Sequence, residues 1–197
     1  MERQEVFRDP QRLPDFFEQN LVDPARVVKV FTDDPQAHIK VFYYQYLKLC
    51  FEINNEKSEE LVHKIEELIN NPTFQFIFYQ EDDPNIFNDT QAKAFISEFF
   101  GELSSGEYTI LEAINKYPIM DIIMVHFFRT LMILMDKTES LDNFVPRDDL
   151  LGFLCPFFGI DVEVHDNCVK YVDTDVFVFD ESERSVYMAY INVTEEN

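Results

Sequence analysis

The order of hydrophobic patterns along the chain is the feature that most restricts its fold. Apolar side chains recur at the three- and four-residue spacing of buried helices in six segments, residues 41–51, 58–69, 90–99, 107–116, 119–135 and 148–157. Apolar and polar residues alternate instead in four short runs near the carboxyl end, residues 160–164, 169–171, 176–179 and 186–190. Helices first and strands last predict an α+β fold, helix-rich with a small C-terminal antiparallel sheet.

Capping signals set the predicted ends of several helices. Asp23 followed by Pro24 predicts a helix start within an N-terminal segment of short helices, because Pro is favoured at the first helical position. Ser58 and Thr90 are the predicted N-caps of two later helices. Gly101 is the predicted C-terminal cap of the helix that Thr90 begins, because glycine readily adopts the left-handed conformation found there.

The length and the hydrophobic content indicate one domain with a large core. We predict an N-terminal arm at residues 1–30 and a single domain at residues 31–197. Hydrophobic residues make up 46% of the chain and include 21 Phe, whose rings bury much area per side chain. Residues 74–79 alternate phenylalanine with other side chains, which fits a strand and a short buried helix equally well.

The net charge limits the kinds of partner. The chain has 38 acidic and 16 basic residues, so its net charge is 16 − 38 = −22. This charge repels phosphate backbones and anionic membranes, so we expect neither direct nucleic-acid binding nor membrane binding. It favours a protein partner with a basic surface, through association that is steered by charge and weakened by salt. The simpler alternative is a self-repelling surface that only keeps the protein soluble.

Three features predict an intracellular location. The longest apolar stretch, residues 119–135, is interrupted by Asp121, His126 and Arg129 and does not resemble a membrane span. The first residues, MERQEVFRDP, are charged and do not resemble a secretory signal. The 3 cysteines cannot all form disulfides with one another. We therefore expect a reducing compartment, the cytoplasm or the nucleus.

Residues 33–48 read DDPQAHIKVFYYQYLK, and this run resembles the active-site segment of the otubains, the OTU-type cysteine deubiquitinases. The family has Asp, Gly, Asn and the catalytic Cys there, followed by aromatic residues that open a helix. Asp34 matches the family's Asp, whereas Gln36 stands in place of the Asn. Ala37 stands in place of the catalytic Cys, and alanine cannot form the thioester intermediate of a cysteine protease.

Three later segments support the same resemblance. Residues 123–131, IMVHFFRTL, look like the otubain helix with a Tyr-Leu-Arg-Leu-Leu run, and Arg129 matches its Arg. Residues 148–166 are similar to the family's helix followed by a strand, and residues 186–190, VYMAY, match a Val-Tyr-Leu-Leu-Tyr strand. A short turn after that strand delivers the catalytic His in otubains, and the corresponding position here is Thr194.

The resemblance implies an otubain-like fold, of the papain-like cysteine protease type, that has lost its chemistry. The degenerate active-site positions are Asp34, Gln36, Ala37, His38 and Thr194. It further implies a non-catalytic module that binds a protein partner or a large assembly. The partners that we consider are ubiquitin, a ubiquitin-conjugating enzyme, and a repurposed partner such as the ribosome or the proteasome.

An active thiol hydrolase with a displaced nucleophile is the alternative function. Cys50 with His63 as its base is one arrangement, and Cys155 is the other candidate nucleophile. Both cysteines lie in apolar helical patterns, which is typical of buried structural thiols, whereas reactive thiols need an exposed, electropositive setting. We therefore favour the non-enzymatic interpretation.

We predict no metal ion and no cofactor. His165 and Cys168 have a spacing that suits zinc, but no second pair of ligands accompanies them. Residues 81–83 and Asp89 are acidic but lack the Gly and the closing Glu of a calcium loop. His126 is predicted to be a structural residue of a buried helix, because phenylalanines follow it directly.

Overall fold

The computed structural model describes residues 25–31, 34–53, 55–77, 88–137, 146–166, 168–174, 176–182 and 185–191. Six helices are present in this part of the chain: α1 (Ala37–Phe51), α2 (Glu56–Asn70), α3 (Asp89–Ser105), α4 (Ile110–Lys116), α5 (Ile119–Leu134) and α6 (Arg147–Phe158). Five strands accompany them: β1 (Ala25–Phe31), β2 (Val162–His165), β3 (Cys168–Tyr171), β4 (Val176–Ser182) and β5 (Ser185–Ile191). The predicted α+β class is confirmed.

All five strands form one antiparallel sheet in the order β1-β5-β4-β3-β2. The predicted C-terminal sheet is therefore present, and it is larger than predicted because β1 joins it. Ala25 pairs with Ile191 and Phe31 pairs with Val186, so the first and the last described strands are neighbours. The division at residue 30 into arm and domain remains a prediction, but β1 runs across that position.

The helix predicted to start at Asp23 and Pro24 is wrong over residues 25–31, which form strand β1. The segment reads ARVVKVF, and its three valines are β-branched residues that suit a strand better than a helix. Pairing with β5 supplies the backbone hydrogen bonds that a helix would otherwise make. The other residues of the N-terminal arm lie outside the described part of the chain.

Asparagines, not the predicted serine and threonine, cap two of the helices. Asn55 is the N-cap of α2, and Ser58 is the third helical residue, which completes a capping box with it. Asn88 likewise caps α3 in place of Thr90. Gly101 is wrong as a C-cap, because it lies within α3, and Gly106 ends the helix with a φ of 73°.

Residues 74–77 form neither of the two elements that their pattern allowed. Phe74 and Phe76 are buried, and their ring centroids lie 5.2 Å and 6.1 Å from that of Phe127 on α5. Side chains satisfy the backbone of this segment in place of a ladder. The amide of Phe76 donates to Asp89 Oδ1 at 2.7 Å, and that of Ile77 donates to Thr130 Oγ1 at 3.0 Å. The rest of the 74–79 segment is outside the described residues.

Helix α1 is the centre of the core. It contacts α2, α4, α5, α6 and β5. Phe42 and Leu47 are fully buried, which confirms the prediction that the helix through these residues is enclosed. The Phe42 ring lies 5.2 Å from that of Phe128 on α5, and the Tyr46 ring lies 4.9 Å from that of Phe158 on α6. These edge-to-face contacts fix α1 against both helices.

None of the helices in the described ranges combines the length and the apolar character that crossing a membrane requires.

Candidate functional site

The first turn of α1 begins at Ala37, ahead of the predicted helical segment at residues 41–51, and it is held by Asp34. The Oδ1 atom of Asp34 accepts a hydrogen bond from the amide of Gln36 at 2.8 Å, and its carbonyl oxygen accepts one from the amide of Ala37 at 3.1 Å. Lys40 Nζ lies 2.7 Å from Asp34 Oδ2. Ala37 itself is 0% exposed. The position at which the resemblance expects a nucleophile is therefore closed to solvent.

A carboxylate on the sheet connects this turn to a second helix start. His38 Nε2 lies 3.3 Å from Asp180 Oδ1, and Arg147 Nη1 forms an ion pair with the other oxygen of Asp180. Arg147 also bonds Asp148 through Nε at 2.8 Å, and its Nη2 donates to the carbonyl oxygen of His165 at 3.2 Å. We call His38, Arg147, Asp148 and Asp180 the Asp180 cluster. It joins α1, α6 and β4, and it also touches the end of β2.

The central pair of this cluster is partly buried, so removing one partner would leave the other charge poorly solvated. The side chains of Arg147 and Asp180 are 13% and 16% exposed. Burial opposes the charge of Arg147. Its hydrogen bond to Asp148 and the charge of Asp180 outweigh that effect, so the pKa of the guanidinium is raised. Arg147 therefore stays charged and gives Asp180 a permanently cationic partner.

The predicted degenerate positions have different exposures. Asp34 and Gln36 are half-buried, Ala37 and His38 are buried, and Thr194 lies outside the described residues. The side chains of Ala37 and His38 thus contribute little to any surface that a partner touches. His38 Nε2 lies 3.3 Å from Asp180 Oδ1 on the sheet.

Sequence reasoning missed Arg147 and Asp180. Each is a charged residue next to an apolar run, at the start of α6 and towards the end of β4. Such placements are common at helix and strand ends, so the pattern alone did not single them out. Only the three-dimensional fold brings these two residues together with His38.

The three cysteines have the properties of structural thiols. Cys50 and Cys155 are buried and Cys168 is half-buried. Burial raises the pKa of Cys50 far above its usual range, that of Cys155 to about 12 and that of Cys168 to about 11. Thiols with such pKa values are almost entirely protonated near neutral pH, and the thiolate is the reactive form.

His63, the candidate base for Cys50, forms a pair with Glu67. His63 lies on the exposed face of α2, with 68% of its side chain accessible, and its Nε2 lies 3.2 Å from Glu67 Oε1. His126 is buried on α5, 2% exposed, as expected of a structural histidine.

No group of three or more potential metal ligands comes together among the described residues. His165 and Cys168 pair across the hairpin of β2 and β3. Asp89 accepts the amide of Phe76 and forms an ion pair with Lys93 at 3.1 Å. Residues 81–83 lie outside the described residues.

No model of a known protein family, no curated protein and no solved structure matches this chain. The fold and the site define an α+β protein in which a closed helix start is tied to an antiparallel sheet.

Proposed function

We propose that this chain is a non-catalytic protein-binding module on a degenerate otubain-like scaffold. The single observation that carries the proposal is the complete burial of Ala37 at the start of α1, the position at which the resemblance expects the nucleophile. A site that performs thiol chemistry needs a sulfur atom that a substrate can reach. Alanine supplies no sulfur, and the enclosed position admits no substrate.

The surroundings of α1 support the same scaffold. Residues 186–190, which resemble an otubain strand, belong to β5, and α1 packs against that strand. Gln45 Nε2 of α1 lies 3.1 Å from Met188 Sδ of β5. A buried helix whose start lies beside a C-terminal antiparallel sheet is the arrangement that the resemblance implies.

The Asp180 cluster supports the loss of chemistry. In this proposal His38 and Arg147 hold the carboxylate of Asp180 and fasten the helix starts to the sheet. A cluster of ion pairs stabilises one fixed geometry, whereas a catalytic cleft needs groups that are open to a substrate.

The partner that we propose is a protein with a basic surface. A net charge of −22 favours such a surface through long-range attraction and disfavours nucleic acid. Ubiquitin, a ubiquitin-conjugating enzyme and a large assembly such as the ribosome or the proteasome are the candidates. We rank binding to some protein partner above binding to ubiquitin in particular, because a fold can be reused for a different partner. The proposed location is the cytoplasm or the nucleus.

The alternative, a hydrolase with Cys50 or Cys155 as nucleophile, has less support. Burial holds both thiols protonated, and the described environment of His63 is a pair with Glu67 on an exposed face.

Affinity capture with a charge-matched reference tests the proposal. The full chain is immobilised beside an unrelated folded protein of similar negative charge, and both are exposed to native lysate. Captured proteins are eluted with rising salt and identified by mass spectrometry. We expect at least one saturable partner specific to this chain, which then binds the purified protein directly. Equal capture by both proteins would mean that the charge serves solubility alone, and the proposal would fail.

A further inference from the structure

A groove of about 460 Å³ lies between α6 and β2, and Asp148 of the Asp180 cluster is among the residues that line it. Gly152, Cys155 and Pro156 line it on the helix side, and Val162 and Val164 line it on the strand side. Its size falls within the range of about 300–1,000 Å³ that is typical of binding sites. Gly152 leaves the helix wall open, since a Cβ atom built there would have no heavy atom within 4 Å.

The strand side of this groove is the edge of the sheet. Strand β2 is the last in the order and pairs with β3 alone among the described strands. Val162 and Val164 are two residues apart, so they lie on the same face, and Val164 remains 44% exposed. An edge strand offers unpaired backbone groups to an incoming extended chain. Alternate side chains of that chain would enter the groove beside α6.

The acidic side chains around the groove favour one kind of occupant. Asp148 and Asp161 line the groove, and Asp149, Glu163 and Asp166 are further exposed acidic side chains within residues 147–166; we call these five the acidic rim. The one Lys or Arg in that range is Arg147, which is committed to Asp148 and Asp180. A second copy of this chain would present the same acidic rim and be repelled. An extended segment with alternating basic and apolar residues is attracted instead.

We propose that the groove between α6 and β2 is a docking site for an extended, basic segment of a protein partner, which adds to the sheet as a strand beside β2. The inference rests on the proposed protein-binding function and specifies where and how the partner binds. Backbone hydrogen bonds to β2 supply the orientation. Apolar side chains fill the groove, and lysine or arginine side chains contact the acidic rim.

A peptide series tests this proposal on the full chain. The probe is a fluorescein-labelled peptide of alternating lysine and valine, and its binding is followed by fluorescence anisotropy. One reference peptide has the same composition with its lysines and valines in separate blocks, and a second has N-methyl groups on alternate amides. We expect saturable binding of the alternating peptide. The references should bind weaker by about tenfold or more, because they lose the strand pattern or the backbone donors.

Two glycines provide a matched pair of variants. Gly152→Phe fills the groove, and Gly101→Phe adds the same ring to an exposed position of α3, where a Cβ atom also meets no heavy atom within 4 Å. We expect Gly152→Phe to weaken binding of the alternating peptide by about tenfold or more, and Gly101→Phe to leave that binding unchanged. If Gly152→Phe does not fold, Val164→Lys replaces it, with Ile122→Lys on α5 as its control. Both side chains are exposed, and only Val164 lines the groove, so the added charge repels the peptide there alone.

Three outcomes would overturn the inference: equal binding of the alternating and the block peptides, equal weakening by the groove variant and its control, or a dimer in sedimentation that Gly152→Phe dissociates. The last result would make a second copy the occupant. If the captured partner binds wild type and Gly152→Phe equally, the docking site is wrong while the protein-binding function stands. If wild type captures no specific partner, the function itself fails.

Discussion

His38 Nε2 lies 3.3 Å from Asp180 Oδ1, and this contact joins the first turn of α1 to strand β4. Arg147, the first residue of α6, contacts the other oxygen of the same carboxylate. One side chain of the sheet therefore holds the starts of two helices. In the otubain-like scaffold that we propose, the start of the first of these helices is where an active enzyme would carry its nucleophile.

Replacing Asp180 should destabilise the fold more than replacing an exposed aspartate. Asp180→Asn leaves the guanidinium of Arg147 partly buried without its charged partner, so we expect the free energy of unfolding to fall by about 2 kcal/mol, between the values of exposed and buried pairs. The control is Asp173→Asn. Asp173 pairs with Lys57 at 3.0 Å, and both side chains are more exposed. Urea denaturation should give a loss for the control of about 0.5 kcal/mol or less. Equal losses would show that the Asp180 cluster is no more than a surface contact.

Introducing a thiol at Ala37 should not create hydrolase activity. Ala37→Cys places sulfur at a fully buried position, and the Nε2 of His38 on the same turn lies 3.3 Å from Asp180 Oδ1. The thiol would lack an accessible base and a path for the substrate. Hydrolysis of a ubiquitin–fluorophore conjugate is the measurement, and Ala37→Ser is the matched variant without sulfur. Turnover by Ala37→Cys above that of Ala37→Ser would contradict this prediction.

Two glycines, one inside α3 and one at its C-cap, should change the free energy of unfolding in opposite directions when each is replaced by alanine. Gly101 lies inside the helix, so Gly101→Ala should raise the free energy of unfolding by about 0.5–1 kcal/mol. Gly106 has a φ of 73°, so Gly106→Ala should lower it by about 1 kcal/mol. Chemical denaturation of both variants provides the test. A stabilised Gly106→Ala protein would mean that α3 does not end there.

Alkaline pH should destabilise the native state through its buried thiols. Burial raises the pKa of Cys155 from 9.0 to about 12, so the unfolded thiol ionises first as pH rises. The stability from this group is fully present below pH 9.0 and is lost as pH approaches about 12. Burial also raises the pKa of Tyr171, which acts in the same direction. The free energy of unfolding of Cys155→Ala should therefore fall less steeply above pH 9.0 than that of wild type. Parallel curves for the two proteins would contradict the assignment to Cys155.

The acidic rim of the groove should steer association with a basic partner. Asp161→Asn with Glu163→Gln removes two charges beside β2, and Glu66→Gln with Glu67→Gln removes two from the exposed face of α2. We expect the rim variant to associate more slowly with the alternating lysine–valine peptide. The association rate of the rim variant should also depend less on salt, up to about 0.5 M, than that of wild type. The α2 variant should differ less from wild type in both the rate and its salt dependence. Stopped-flow fluorescence provides both rates. An equal effect of the two variants would indicate attraction by the net charge alone.

Local patterns predicted the buried helices well, because the apolar spacing of segments such as that through Phe42 and Leu47 reports burial directly. Caps were harder. Asn55 and Asn88 lie close to the predicted Ser58 and Thr90, and Asn, Ser and Thr all make good N-caps, so spacing alone did not separate them.

The features that the sequence did not predict depend on contacts between distant parts of the chain. Strand β1 exists because β5 pairs with it, although Asp23 and Pro24 favour a helix locally. The Asp180 cluster contains residues of α1, α6 and β4, and their spacing along the chain does not indicate that they are in contact.

Reaction of the wild-type chain with ubiquitin that carries a C-terminal electrophile tests the central claim most directly. Such a probe forms a covalent adduct with an accessible, activated thiol, and mass spectrometry detects the adduct. We expect the intact mass to be unchanged, because Ala37 has no sulfur and burial keeps the thiols of Cys50 and Cys155 protonated. An adduct that disappears with Cys50→Ser or with Cys155→Ser would contradict the account and identify the chain as an active thiol enzyme.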